Sequence, residues 1–183
     1  MTEVKGVEYL IDAFARLQGK LPNTKLVLIG DGPRLPALKA IVECRSLSKA
    51  VCFAGAMRNR ELPPWFRAAS IVATPSITTR RLAEQVCMVN IQSIACGTPV
   101  VTTDSGSIPE FIDHGVSGLV VPERNVSALA DAMERLLTSP ELLACLSRNG
   151  RRIAEQRYDA RTNAMKAEDI ILDGLGRKSV ARS

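Results

Sequence analysis

Short runs of apolar, often β-branched residues recur along the chain and alternate with longer amphipathic stretches. The runs are continuous rather than alternately apolar and polar, which is typical of parallel strands covered on both faces. They predict strands at 25–29, 50–54, 71–74, 99–102 and 118–121. The stretches between and after them carry apolar residues at three- and four-residue spacing, which predicts helices. These helices fall at 7–17, 35–42, 62–69, 86–96, 108–113, 129–137, 140–157 and 159–174.

Local signals indicate where some of these helices begin and end. Ser139 and Pro140 are typical of a helix start, and Gly97 is typical of a helix end. Asn149 and Gly150 indicate a kink or break in the stretch that follows. The alternation of strands and helices predicts the α/β class with a Rossmann-like, doubly wound parallel sheet. In such sheets ligands bind beyond the carboxyl ends of the strands.

The amino-acid composition is typical of a globular protein. It has 183 residues, 46% hydrophobic and 23% charged, which predicts one domain at 1–175 and a flexible basic tail at 176–183. No apolar run approaches the roughly 18 residues that span a bilayer, and no signal peptide is visible. The predicted location is therefore cytoplasmic, with peripheral contact to the inner face of a membrane left open.

Charge and cysteine content narrow the candidate chemistry. The net charge is +5 and the basic residues are scattered, which favours anionic ligands but does not predict nucleic-acid binding. Five cysteines occur without a Cys-x-x-Cys pair and with a single histidine, His114. No metal site is predicted, and the cysteines are interpreted as reduced, mostly buried thiols.

Glycine-containing turns follow the first two predicted strands. Gly30 opens the turn 30–33, which allows close approach of a ligand to the backbone but is equally consistent with a plain strand-to-helix turn. Gly55, Ala56 and Met57 follow the second strand. A solvated loop is the alternative interpretation there.

Beyond the third strand, a polar loop leads to Glu84 and to a helix that starts near Val86 or Cys87. Glu84 either caps this helix or stands beside a phosphate site formed by its free amides. Gln92 lies eight residues farther on, at most about 12 Å along a helix axis. Two polar groups at that separation suit the two ends of a nucleoside-diphosphate ligand.

The loop after the fourth strand is small and polar. Asp104 or Ser107 is expected to cap the short helix at 108–113. Ser105 and Gly106 leave room for a ligand. His114 is interpreted as a surface or capping histidine.

Together these segments resemble the group 1 (family 4) retaining glycosyltransferases. The resemblance rests on motifs that occur in order over about residues 3–175: Lys5-Gly6, 28–33, 53–55, 74–76, the stretch from Glu84 to Val101, 105–110 and 118–122. It implies the C-terminal half of a GT-B fold, which binds the nucleotide-sugar donor. The family's first strand of this domain would precede residue 1, and its loss would leave unpaired strand edges at 26–29 and 71–74.

The resemblance also implies roles for individual residues. Lys5 would bind the donor diphosphate and Glu84 would contact the donor sugar, as the catalytic pair. Gln92 would contact the ribose. The remaining implied donor-binding residues are the amides of Val86, Cys87 and Met88, the loop Gly55, Ala56 and Met57 near the base, and the turns at Gly30, Ser105 and Gly106. The donor would be a UDP-sugar or GDP-sugar, with no metal or other cofactor implied because no Asp-x-Asp occurs.

The sequence departs from the family pattern at several points. Gln92 stands where the family has a second Glu, and Gln85-Val86-Cys87 replaces the usual Gly-x-Gly. The acceptor-binding N-terminal domain is missing, so it would be on another chain or lost, and this chain alone is expected to be inactive. The alternatives are a degenerate, non-catalytic module that binds a nucleotide or a partner, and a fragment of a nucleotide-sugar epimerase.

Overall fold

The structure, a computed structural model, describes residues 1–175, so the predicted basic tail at 176–183 lies outside the described residues. The strands are β1 (Leu26–Ile29), β2 (Val51–Gly55), β3 (Val72–Thr74), β4 (Val100–Thr103) and β5 (Gly118–Val121). The helices are α1 (Val7–Lys20), α2 (Leu35–Cys44), α3 (Leu62–Ala68), α4 (Met88–Ala95), α5 (Ile108–Phe111), α6 (Val126–Thr138), α7 (Pro140–Arg157) and α8 (Ala160–Gly174). All five predicted strands are confirmed to within one residue at each end.

The strands are parallel and form two sheets, with the order β1-β2 in one and β3-β4-β5 in the other. Leu26 lies opposite Val51 in the first sheet, and Val100 lies opposite Gly118 in the second. Within residues 1–175, β1 pairs with β2 alone and β3 with β4 alone. The edges expected to be unpaired are therefore unpaired in the described chain.

A shared hydrophobic core joins the two sheets. Ile11 and Phe14 of α1 belong to one buried cluster with Leu28 of β1, Val101 of β4 and Leu119 of β5. Helix α1 also packs along α6, so it lies across the faces of both sheets. Burial of these side chains removes apolar surface from water on both sides of the division between the sheets.

Coverage of the strands is less even than their apolar sequence predicts. All four residues of β4 are buried, as expected of a strand covered on both faces. On β1, however, the Val27 side chain is 41% exposed. The prediction that every strand is covered on both faces is wrong for β1, whose alternating burial indicates that one face is open to solvent.

Helix α7 runs unbroken through Asn149 and Gly150, so the break that these residues predicted is wrong. Gly150 is buried, and a Cβ atom there would lie 3.2 Å from Cβ of Ile94 on α4. The glycine therefore serves the close approach of α7 to α4, and packing offsets the roughly 1 kcal/mol that a helical glycine costs relative to alanine.

Two of the remaining helix signals are confirmed, and the expected cap of α5 is wrong. Ser139 caps α7, because its hydroxyl accepts a hydrogen bond from the Leu142 amide, and Gly97 follows α4 with a left-handed φ of 79°. At α5, Ser107 occupies the cap position without a side-chain hydrogen bond. The Asp104 carboxylate instead accepts from the Glu123 amide at 2.8 Å.

The interpretation of the cysteines as mostly buried is also wrong. Cys87 is buried and Cys96 is half-buried, whereas Cys44, Cys52 and Cys145 are exposed. Cys52 is exposed on the open face of the β1-β2 sheet, next to Val27 in register. Small apolar residues can lie at the surface without penalty, so the residue type alone did not determine burial here.

None of the described side chains of helix α8 is buried. Among residues 1–175, no helix combines the length and apolar character needed to cross a membrane.

Candidate functional site

The side chains of Lys5 and Glu84 meet beyond the carboxyl ends of the strands. The Lys5 Nζ atom lies 2.6 Å from Oε2 of Glu84, although the two residues are 79 positions apart in the chain. Lys5 ends the short 3-10 helix Glu3–Lys5 in front of α1, and Glu84 lies in the loop between β3 and α4. The sequence therefore identified two residues that the fold brings into direct contact.

Lys5 is held in place by its chain neighbours. The Val4 carbonyl accepts a hydrogen bond of 2.8 Å from the Ile77 amide, and this ties the segment before α1 to the loop after β3. Gly6 has a φ of 56°, and a Cβ atom there would lie 2.0 Å from the Pro75 carbonyl oxygen. Only glycine combines that conformation with that close approach, so the local structure requires glycine directly after Lys5.

Glu84 is held from both sides of its loop. Its side chain is only 13% exposed, and its carboxylate also accepts from the Ser76 hydroxyl at 3.3 Å. Its backbone carbonyl accepts from the Ser107 amide at 3.0 Å, and Gly106 packs against the same carbonyl. Helix α4 begins at Met88 with Cys87 at its cap, so the alternative of Glu84 as the helix cap is wrong.

The start of α4 presents an apolar surface beside this ion pair. The side chains of Val86 and Met88 are 40% and 54% exposed, whereas Cys87 points inward and burial raises the pKa of its thiol. The Met88 amide donates to the Val86 carbonyl at 3.1 Å. One of the three amides that the resemblance assigns to phosphate binding, that of Met88, therefore already donates a hydrogen bond within the turn.

A buried hydrogen-bond network fixes α4 against the sheet. The Thr74 hydroxyl donates to Oδ1 of Asn90 at 2.6 Å, and Nδ2 of Asn90 donates to the Thr102 hydroxyl at 3.1 Å. Asn90 is 1% exposed, so a break in the network would leave polar groups unpaired in the core.

The other predicted binding residues spread along the same edge of the fold. The Gly30 amide donates to the Gly55 carbonyl at 2.7 Å, which places the turn of Gly30 next to the loop that continues through Ala56 and Met57. Gln92 lies farther along α4 and is half-buried.

Several polar residues around Glu84 were not among the sequence-predicted site residues. Ser76 belongs to the 74–76 motif, but the sequence predicts no role for it. Thr78, Glu123 and Arg124 form contacts that join the loops after β3 and β5. No local spacing signals such contacts, because these residues meet only through the fold.

A concave pocket of about 360 Å³ lies at the opposite end of α4, lined by Arg67, Ala95, Cys96, Gly97, Ser147, Arg148 and Arg151. Its lining contains none of the residues assigned to the site at the start of α4. The candidate site beside Lys5 and Glu84 is therefore separate from this pocket.

Comparison with known proteins gives the same family as the sequence motifs. The family described as "Glycosyl transferases group 1" matches residues 1–153. An alpha-D-kanosaminyltransferase of Streptomyces kanamyceticus is 31% identical over 154 residues, 84% of this chain and 39% of that protein. A GDP-mannose-dependent alpha-(1-6)-phosphatidylinositol monomannoside mannosyltransferase of Mycolicibacterium smegmatis is 30% identical over 169 residues, 91% of this chain and 44% of that protein.

A solved structure shows the same architecture. Anabaena HepE in complex with UDP-glucose superposes with a TM-score of 0.82 and 27% identity, over 93% of this chain and 46% of that one. The chain thus spans less than half the length of the relatives named here.

Proposed function

This chain belongs to the group 1 glycosyl transferases, and on that premise we propose that it forms the donor-binding half of a GT-B glycosyltransferase. It would bind a nucleoside-diphosphate sugar and serve transfer of the sugar, with retention, to an acceptor held by an N-terminal domain. The observation that carries this proposal is the ion pair between Lys5 and Glu84.

The two members of the pair suit the two parts of such a ligand. The Lys5 side chain is 46% exposed, so its ammonium is accessible to an incoming diphosphate and would stabilise the charge that develops on it as it departs. The Glu84 carboxylate would accept hydrogen bonds from sugar hydroxyls, and bonds to a charged acceptor are stronger than neutral ones.

The relatives support a UDP- or GDP-linked sugar as the ligand. HepE was solved with UDP-glucose, and the mycobacterial relative is named as GDP-mannose-dependent. The edge that carries Gly30, Gly55, Ala56 and Met57 would receive the nucleoside, Gln92 the ribose, and the start of α4 the phosphates.

A second candidate is a module that binds a nucleotide or a partner without catalysis. Two observations favour it: Gln92 offers an uncharged oxygen to the ribose, and the Met88 amide is engaged by Val86. A chain that binds the nucleotide sugar but never supports transfer, even with an N-terminal domain supplied, would fit this candidate.

The proposal is tested by calorimetric titration of the chain with UDP, GDP, UDP-glucose and GDP-mannose. We expect Lys5→Ala to weaken binding of both a nucleotide and its sugar conjugate, by about tenfold, because a charged contact to the diphosphate is lost. Glu84→Ala should weaken binding of the sugar conjugate alone, because the bare nucleotide lacks the group that Glu84 contacts.

A matched ion pair provides the control. Lys20 and Glu134 are 2.5 Å apart at the far end of α1, so Lys20→Ala and Glu134→Ala should leave every affinity unchanged. His114→Ala should also leave them unchanged, because His114 lies between α5 and β5, where its ring accepts a hydrogen bond from the Val120 amide. Absence of binding to all four ligands by a folded chain would refute the proposal.

A further inference from the structure

The backbone of Thr78 is held on both sides by two consecutive residues that follow β5. The Thr78 amide donates to the carboxylate of Glu123, and the Thr78 carbonyl accepts from the guanidinium of Arg124. The Thr78 hydroxyl lies 3.2 Å from the Ser105 hydroxyl. All three polar groups of this one loop residue are therefore engaged by residues that follow β4 and β5.

Glu123 and Arg124, which contact the backbone of Thr78, are themselves held by hydrogen bonds. The Glu123 amide donates to Oδ1 of Asp104 at 2.8 Å, and Arg124 reaches the Tyr9 hydroxyl at 3.5 Å. Arg124 also has a φ of 61°, a left-handed conformation that is uncommon for a residue other than glycine. The chain thus turns sharply after β5 and directs the guanidinium at the loop after β3.

Thr78 stands near the beginning of the loop that ends on Glu84. Between them, Thr79 and Leu82 close a compact turn, in which the Thr79 amide donates to the Leu82 carbonyl at 2.9 Å. At its far end the loop is anchored by the Ser107 amide on the Glu84 carbonyl. A turn held at two points has a defined orientation, and release of Thr78 would leave residues 79–83 anchored only at Glu84, which Lys5, Ser76 and Ser107 still contact.

We propose that Glu123 and Arg124 are positioning residues that orient Glu84 toward the sugar of the bound nucleotide sugar by fixing Thr78. This inference rests on the proposed function, because it gives a reason for the position of the carboxylate that would contact the sugar. The nucleotide part of the ligand lies outside this role. Loss of the contact between Arg124 and Thr78 should therefore lower the affinity for the nucleotide sugar and leave the affinity for the bare nucleotide unchanged.

The variant Arg124→Gly tests this role without straining the fold. Glycine adopts the left-handed conformation of position 124 more readily than arginine does, which offsets the loss of the arginine side-chain contacts, so the thermal unfolding midpoint should change little. We expect the affinity for UDP-glucose or GDP-mannose to fall about tenfold, as for a lost hydrogen bond to a charged group. The affinity for UDP or GDP should stay within about twofold, a change of less than 0.5 kcal/mol.

Hydrogen exchange gives a readout that does not depend on any ligand. In the chain without ligand, the amides of residues 77–84 should exchange faster in Arg124→Gly than in the wild type, because one of the two anchors is lost. Glu123→Gln, which keeps an acceptor oxygen for the Thr78 amide, should restore most of the protection that Glu123→Ala loses.

Ser46→Gly is the matched control. Ser46 is the other described residue besides glycine with a positive φ, at 57°, so this change relaxes a similar backbone conformation away from the loop. It should alter neither sugar-donor affinity nor exchange at 77–84.

The outcomes separate this inference from the function on which it rests. Unchanged exchange at 77–84 in Arg124→Gly would overturn the positioning role, and so would an equal loss of affinity for nucleotide and sugar conjugate. A wild-type chain that binds no nucleotide sugar would remove the proposed function. The exchange experiment would then still decide whether Arg124 fixes the loop.

Discussion

Cys87 shows how one side chain at the edge of the site differs from its chemical equivalents. It is buried directly before α4, and loss of solvation disfavours its thiolate, so its pKa is raised. Since the thiolate is the reactive form, both accessibility and charge state protect this cysteine.

We expect Cys87 to be alkylated last among the five cysteines. With iodoacetamide at about pH 8, where an ordinary thiol is partly ionised, the exposed Cys44, Cys52 and Cys145 should react first. Because burial raises the pKa of the Cys87 thiol, its rate should keep increasing as the pH is raised above about 8. Peptide mass spectrometry at timed intervals measures this, and equal rates for Cys87 and Cys145 would contradict the described burial.

Single residues also show how far the sequence could predict the site. Lys5 and Glu84 were identified because each stands in a short motif that resembles the family: Gly6 follows Lys5, and Glu84 opens the stretch to Val101 with Gln92 eight residues farther on. Arg124 stands in no such motif. Its relation to Glu84 passes through Thr78, a contact between residues 46 positions apart, which no spacing rule contains.

At the level of elements, the position of α4 depends on a polar contact inside the core. Asn90 joins the helix to Thr74 of β3 and Thr102 of β4. An apolar residue at position 90 would remove both of these buried hydrogen bonds, at about 0.5–1.5 kcal/mol each. The Thr74 and Thr102 hydroxyls would keep their contacts with each other and with the Thr74 carbonyl.

Asn90→Ala should therefore destabilise the chain by about 1–3 kcal/mol, measured by urea unfolding. Asn149→Ala is a suitable control because Asn149 is also in a helix, where its amide contacts the exposed Cys145 sulfur at 3.5 Å. The control should change stability by less than about 0.5 kcal/mol. Equal losses in the two variants would show that the buried network contributes nothing beyond helix propensity.

The sequence predicted the positions of the strands well, but it wrongly predicted a break within one helix. Strand positions followed from continuous apolar runs, which are difficult to place elsewhere than in a sheet. The break expected at Gly150 did not occur, because the absent side chain there makes room for Ile94. Local propensity cannot distinguish a glycine that ends a helix from one that lets two helices approach.

For the whole molecule, the main feature is that two separately paired sheets share one core. Phe14 is 1% exposed and belongs to the cluster that contains residues of both sheets. No backbone pairing joins the two sheets within residues 1–175. The side chains of α1 instead contact residues of both sheets.

Phe14→Ala should destabilise the entire described chain rather than one sheet. The expected loss is about 3–5 kcal/mol, seen as a single earlier transition by both circular dichroism and Trp65 fluorescence. Ile170→Ala on α8, where the side chain is 72% exposed, should have little effect. Two separate transitions in the wild type would show that the sheets unfold independently.

The unpaired strand edges at 26–29 and 71–74 were expected from the resemblance, whereas the packing of α1 that joins the two sheets was not. The helical pattern at 7–17 predicted an amphipathic helix but not which surfaces its apolar side would cover. That depends on how the β1-β2 and β3-β4-β5 sheets are oriented, which is a property of the assembled molecule.

The long sequence separation of Lys5 and Glu84 has a consequence for the time course of folding. Their 2.6 Å contact closes a loop of 79 positions, and contacts between distant residues are entropically costly and form slowly. Lys5 leaves the ribosome well before its partner has been synthesised, so the recognition edge cannot exist in a nascent chain that ends before β3. A nucleotide sugar that engages both residues would then bind only chains in which this contact has formed. Its concentration would shift the equilibrium between folded and unfolded chains toward the folded form by mass action.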